Sequence, residues 1–524
     1  MLFLAILCSS PAAARAATYY WDADGGSGAP NTLNYGNGTI STTSGNWWNP
    51  GNGTYIGWTN SSADVMQIGS NSAQDGRSYT GGSSAASFTL TLSGSISLGE
   101  IVISGNLSSG SANSVTFTDG GTAGNDMTFG GAEEINNNSS NTLIIDTTIV
   151  SAGGTFMFED LGKTILTKNN GWTTGTIIEG DGSSTSGGIL QVGNGGTTGA
   201  LGTGQIQFPL AASQTTAATL DFDRSNADSV PNSINIPNTN TVGAIIEQSG
   251  SNTLTLTGTE NISSSSATLT YMINPTGQTI DASVSGAISG AGGIAKSGAG
   301  TLALSGDDNY TGATAINNGT LSVARAGTAG NSQGGTLGAT TVTVNTGGTL
   351  LLSANNALGG NTNVTLASGA FKDAGGFGEG AGGKVVNGTY SGTTTAGMGA
   401  LTLSAASTLD FGGTVETLVF NSFTDSSNAT LTIANYTNTD YNSLANDSGI
   451  DGSDDRLIFD QDLTAQQLAD ISFGTGRVTT EIEMGTTGYY EVGAVPEPTT
   501  LFGALALVGL AGYRERRRLN SLLK

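Results

Sequence analysis

Short runs that alternate aliphatic and small polar residues, each ended by a cluster of Gly, Asn, Ser or Asp, recur along roughly 400 residues of this 524-residue chain. Phe88-Thr89-Leu90-Thr91-Leu92, Thr253 to Thr257, Thr340 to Val344, Ala400 to Leu403 and Leu431-Thr432-Ile433 are examples. In an extended chain, alternate side chains point to opposite faces, so each run offers one aliphatic face and one polar face. Between runs, clusters such as Asn317-Asn318-Gly319 and Thr346-Gly347-Gly348 supply turn conformations that β-branched residues disfavour. A closed sandwich or barrel ordinarily ends within about 100–250 residues, so a pattern this long predicts stacked coils. The expected fold class is all-β, a right-handed parallel β-helix or β-solenoid.

Composition supports a folded β chain. Glycine accounts for 82 residues, proline for 9 and charged residues for 11%, leaving few of the long side chains that favour helices. Regular aliphatic alternation separates this chain from disordered Ser- and Gly-rich sequences.

Charge and missing residue types narrow the function. A formal net charge of -24 argues against gripping nucleic acid and leaves a body that repels polyanions and attracts cations. No histidine is present, which removes Ser-His-Asp catalysis and His-ligated zinc or iron. The adjacent pairs Glu133-Glu134 and Asp307-Asp308 direct their carboxyls apart on extended chain, so neither forms an acid–base pair. The expectation is a noncatalytic protein without a cofactor.

The N-terminus reads as a signal peptide over 1–16. Leu2 to Leu7 is apolar, and Ala14-Arg15-Ala16 places a cut before Ala17. The missing basic segment fits either a true start further upstream or a marginal signal. The one cysteine, Cys8, would leave with the signal, so no disulfide is expected.

Two groups are candidate binding residues. Asp447, Asp451, Asp454 and Asp455 present hard oxygens suited to calcium but lack the EF-hand pattern; the other reading is a solvated turn before a strand at Arg456 to Phe459. Trp21, Trp47, Trp48 and Trp58 lie among Gly and Asn, as an N-terminal cap over the first coil or as an exposed platform for sugar rings. Tyr310 and Trp172 are expected to pack within coils, and Lys296 to face solvent.

The best-defined unit, Gly290 to Val323, contains Lys296, Gly298, Gly300-Thr301-Leu302, Leu304-Ser305-Gly306, Asn309-Tyr310-Thr311-Gly312, Ile316 and Gly319-Thr320-Leu321. It resembles the autotransporter-associated β-strand repeat. That resemblance implies β-helix strands at Thr301 to Leu304, Ala313 to Ile316 and Thr320 to Val323. A weaker copy runs from Gly162 to Val192, with Trp172 in the place of Tyr310.

From Ser407 the texture changes, and Leu463, Leu468 and Ile471 mark a short helix that Thr464 can cap. The region 406–493 is expected to cover the exposed edge of the last coil. Val495-Pro496-Glu497-Pro498-Thr499 then precedes an apolar run, Leu501 to Tyr513, and Arg514, Arg516, Arg517 and Arg518. Thirteen helical residues reach only about 20 Å of a roughly 30 Å hydrocarbon core. The arginines would stay on the cytoplasmic side, with the acidic body across the membrane. The order of motif, apolar run and basic cluster is similar to the PEP-CTERM sorting signal, with Pro496-Glu497-Pro498 as its motif. The resemblance implies an exosortase-type processing enzyme as partner, transient membrane contact through the terminal helix, and export in a Gram-negative bacterium with exopolysaccharide or biofilm. A plain membrane anchor is the alternative.

The expected organisation is thus a signal over 1–16, an N-terminal cap and first coils over 17–130, a solenoid over 131–405, a β-rich cap over 406–493 and a sorting tail over 494–524. The expected function is a surface or matrix structural protein. The alternatives are a carbohydrate-binding adhesin and a polysaccharide-degrading β-helix enzyme.

Overall fold

The computed structural model describes residues 17–496, apart from 28–31, 70–77, 80–86, 105–112, 152, 161, 181–185, 212, 328–336, 338–340, 361, 382–383, 387–388, 392, 438–453, 476 and 485–486. The signal segment with Cys8, Asp447, Asp451, Glu497, Pro498, the apolar run and the tail arginines Arg514, Arg516, Arg517 and Arg518 lie outside the described residues. The fold is nearly all β, with 51% strand and 2% helix, and its long parallel sheets do not close into a barrel. The chain divides into two compact units, 1–269 and 270–524, within the stretch expected as one solenoid.

In the first unit two parallel ladders dominate. One stacks Phe88–Leu92, Ser114–Thr118, Thr142–Asp146, Lys163–Leu166, Ile189–Gly196, Ala218–Arg224 and Ala244–Gln248. The other stacks Thr18–Trp21, Val65–Ile68, Ile96–Ser104, Met127–Asn138, Phe156–Asp160, Thr176–Gly180, Ile206–Gln207, Ile234–Ile236 and Glu260–Ile262. Strands alternate between the ladders along the sequence, which is the path of a chain winding in coils. At the N-terminal end, Thr18–Trp21 also pairs antiparallel with Trp47–Asn49, which pairs with Thr54–Ile56.

The second unit repeats the scheme. One ladder runs through Gly293–Ser297, Thr314–Ile316, Thr341–Val344, Asn363–Ala367, Met398–Ala405, Thr417–Asp425 and Arg456–Phe459. The other runs through Ala282–Val284, Thr301–Leu304, Gly319–Val323, Gly348–Leu352, Ala370–Asp373, Ser407–Asp410, Leu431–Ala434 and Ile471–Ser472. Tyr490–Pro496 joins Arg456–Phe459 antiparallel and carries Arg477–Glu483 on its other side. The helix Ala465–Asp470 starts at Thr464, whose hydroxyl accepts from the Gln467 N–H.

Register explains the alternation. Leu302, Leu321, Leu350, Phe371, Leu409 and Ile433 stand opposite one another coil after coil, and all are buried. Burying one such side chain stabilises the fold by about 1.5–3 kcal/mol, so each coil gains its core only from its neighbours. On the outward face of the same strands, Thr301, Thr320, Thr349, Ala370, Thr408 and Thr432 form a parallel row.

Candidate functional site

At the corners, where main-chain pairing lapses, polar side chains take over the ladder. Ile288 N–H donates to the Asp308 carboxylate (2.7 Å), Ile149 N–H to Asn170 (2.9 Å), Ser97 N–H to Asn60 (2.6 Å) and Ala400 N–H to Asn363 (2.8 Å). Each bond spans 20 residues or more of sequence and ties one coil to another. The Asn and Asp abundance of the chain thus has a structural use beyond turns, because a buried N–H without an acceptor costs about 1–3 kcal/mol.

The unit at Gly290 to Val323 has the strands expected of it, at Thr301–Leu304, Thr314–Ile316 and Gly319–Val323. Tyr310 is buried and its hydroxyl bonds Thr314 Oγ1 at 2.6 Å. Trp172 is equally buried, and its indole N–H donates to Thr176 Oγ1 at 2.9 Å. In both coils an aromatic ring thus reaches four residues ahead to a threonine that opens the next strand, and the matching of Trp172 with Tyr310 is geometric as well as sequential.

Lys296 corrects one expectation. It is 1% exposed rather than solvent-facing. Its ammonium donates to the carbonyls of Ser297 (2.7 Å), Gly298 (2.8 Å) and Asn318 (3.2 Å), which use all three of its protons. Burial pulls its pKa down to about 8, against the opposing charge of Asp281. Gly298 sits at φ +73°, and a Cβ there would lie 2.3 Å from the Ile273 carbonyl oxygen, so only glycine turns the chain this closely.

The paired acids separate, Glu133 through a left-handed residue at a register break rather than through extended-chain alternation. Glu133 is buried at φ +51°, where its carboxylate accepts from Ser151 Oγ (2.6 Å) and Gly154 N–H (2.9 Å). Glu134 lies half-buried and opposite Glu100, with the Glu159 carboxyl within hydrogen-bonding reach. Burial, then Glu100 and Glu159, push the Glu134 carboxyl up to about 8. Burial and the Glu159 charge raise Glu100 and Glu179 as well. Asp307 pairs with Arg325 at 3.2 Å at the surface, while Asp308 turns inward.

The four N-terminal tryptophans are inside, so the exposed sugar platform is corrected. Trp21 and Trp47 pack edge-on at 5.2 Å, Trp47 and Trp58 at 5.0 Å, and Trp48 lies against Tyr55 at 5.1 Å. All four are at most 5% exposed, leaving no free ring face for a sugar. Trp21 and Trp58 donate their indole N–H to the carbonyls of Gly36 and Ser97.

Of the aspartates considered for calcium, Asp454 and Asp455 are buried. The Asp455 carboxylate accepts from the Glu416 and Thr437 N–H groups at 3.1 and 2.6 Å. Among the described residues no three His, Cys, Asp or Glu side chains are placed to hold a metal ion. Arg456, next in sequence, forms a buried ion pair with Glu491 at 2.9 Å, fastening the final antiparallel strand. That strand ends at Pro496, the first residue of the tail motif, opposite Arg477. No helix among the described residues is long and apolar enough to cross a membrane.

A family model described as the passenger-associated-transport-repeat matches residues 294–323, the coil that carries Lys296, Tyr310 and Thr314. No curated protein and no solved structure matches the chain. The match supports autotransporter-associated repeats in this chain and suggests a secreted, passenger-type protein of the Gram-negative cell surface or extracellular space.

Proposed function

We propose that this chain is a noncatalytic structural protein of the cell surface or extracellular matrix, sorted through its PEP-CTERM-like tail and associated with exopolysaccharide. The observation that carries the reading is the filling of the coils. Their interiors are packed with aliphatic and aromatic side chains, and Asp308, Lys296 and Asp455 at the corners are spent on main-chain hydrogen bonds. Glu134 and Glu159, a close outward pair of acids, lie within a single hydrogen bond. Glycosidic cleavage needs carboxyls about 5 Å or more apart with a sugar between them, so the pair does not favour hydrolysis. Burial of the four tryptophans likewise takes support from the adhesin reading.

In this reading the antiparallel strands at the two chain ends act as caps that blunt open edges. An exosortase-type enzyme processes the tail at Pro496-Glu497-Pro498, just beyond a strand fastened by Arg456 and Glu491. The experiment is to follow an epitope-tagged chain in cells with and without that enzyme, beside a triple Pro496→Ala, Glu497→Ala, Pro498→Ala variant. Retention of the precursor in the membrane, with loss of surface material, is the expected result in both. Unchanged processing and location would overturn the sorting role.

A further inference from the structure

One buried acid in the second unit has no donor. Glu416 is 4% exposed, and neither of its carboxyl oxygens receives a hydrogen bond from any donor among the described residues. Its neighbour is another carboxyl, that of Asp373. Asp373 is already an acceptor for the N–H groups of Gly375 (2.8 Å), Gly376 and Phe377 (3.0 Å). An ionised Glu416 in this place would be a buried anion beside an acceptor, which costs several kcal/mol by order of magnitude.

Among the described residues, the nearby cations are engaged elsewhere. Asp455 and Asp410 add negative charge, and Asp454 lies beside Asp455. Lys372 is engaged with Asp410 at 3.2 Å, and Arg456 with Glu491. Since no three acids among the described residues converge on a metal position, a proton is the simplest neutralising species.

We propose that Glu416 carries a proton that it donates to Asp373, and that this proton latches three successive corners at the C-terminal end of the second unit. Asp373 closes the strand Ala370–Asp373, Glu416 precedes Thr417–Asp425, and Asp455 precedes Arg456–Phe459. Glu416 N–H donates to Asp455, and the Glu416 carbonyl accepts from Arg456 N–H at 2.8 Å. Loss of the proton therefore strains the register of the strand that receives the final hairpin. Burial, then Asp373, Asp455 and Asp410, push the Glu416 carboxyl up to about 11. A folded-state value raised above the ordinary one gives stability that is complete at low pH and is lost as pH climbs through about 11.

The test compares the full chain with Glu416→Gln, whose amide donates to Asp373 without titrating. The thermal midpoints should be closest near the ordinary glutamate value and diverge steadily as pH rises from there toward about 11, with the wild type falling further. In carbon-13 spectra of glutamate-labelled protein, one carboxyl resonance should keep its protonated position through pH 9 and be missing from the variant. Parallel midpoints, or the absence of such a resonance, overturn the proposal. So does a midpoint raised by calcium chloride in the wild type alone, which would make the pair a cation site. If Glu416→Gln fails to fold, the wild-type carboxyl titration decides the question.

Discussion

In the first unit Thr176 stands opposite Phe156, and in the second Thr314 stands opposite Ile294. Counting two residues on, Phe158 and Lys296 occupy equal places, both pointing inward before the corner. Phe158 joins Phe156 and Trp172 in an aromatic cluster, with Phe156 stacked on Trp172 at 5.0 Å. Lys296 instead fills its place with a four-carbon stem and ends in three carbonyls of the turns around it. The same backbone path is thus held by dispersion and ring packing in one coil and by a caged ammonium in the other. Coil geometry is conserved by the inward row and the aromatic–threonine bond, while the corner tolerates opposite chemistries.

The largest expected effect falls on the aromatic coil. Trp172→Ala removes a fully buried ring and should cost about 3–5 kcal/mol of stability in denaturant unfolding. A loss below about 1 kcal/mol would mean that the cluster does not hold this coil. The caged lysine should be worth less: Lys296→Met keeps the volume but leaves three carbonyls without their donor, at about 1–3 kcal/mol. Because burial lowers the folded-state value of Lys296 to about 8, the wild type gains stability as pH rises from there toward the ordinary lysine value, so the cost of the substitution should grow over that range. A cost independent of pH in this range would contradict the caging.

A smaller effect separates the outward faces. Glu100, Glu134 and Glu179 of the first unit have raised pKa values, with Glu134 at about 8. The Glu134 contribution is complete below the ordinary glutamate value and is lost as pH rises through about 8. The wild type should therefore melt lower at pH 8.5 than at pH 5.5, and Glu134→Gln should reduce the difference. Solvent screening keeps the effect modest, because these carboxyls are only half-buried. An equal slope in the variant would remove Glu134 from the explanation.

Much of this structure is legible in the sequence because its determinants are local. Alternation locates the strands at Phe88–Leu92, Thr341–Val344 and Leu431–Ala434 within a residue or so, and Thr464 marks the helix start. The correspondence of Trp172 with Tyr310 was visible because each reaches a threonine only four residues away. Lys296 was misread as exposed because two of its three acceptors belong to a positive-φ glycine and to Asn318, 22 residues on. Strand periodicity carries no signal for a side chain that turns back into a corner. The tryptophans near the N-terminus were ambiguous for a related reason: an aromatic residue among glycines suits a cap or a platform equally until its partners are placed. Glu416 and Asp373 lie 43 residues apart, and only coil stacking brings them together.

The central claim is that successive repeats stack in parallel register, one coil per step. Spin labels on the outward row of the second unit test it most directly, in a chain whose Cys8 is replaced by Ser. With one label at Thr301→Cys and the other moved through positions 320, 349, 408 and 432, the backbone separation should grow by about 4.8 Å per coil, reaching about 24 Å at Thr432. A separation that stays constant, or that changes without regard to coil number, would contradict the stacked-coil account.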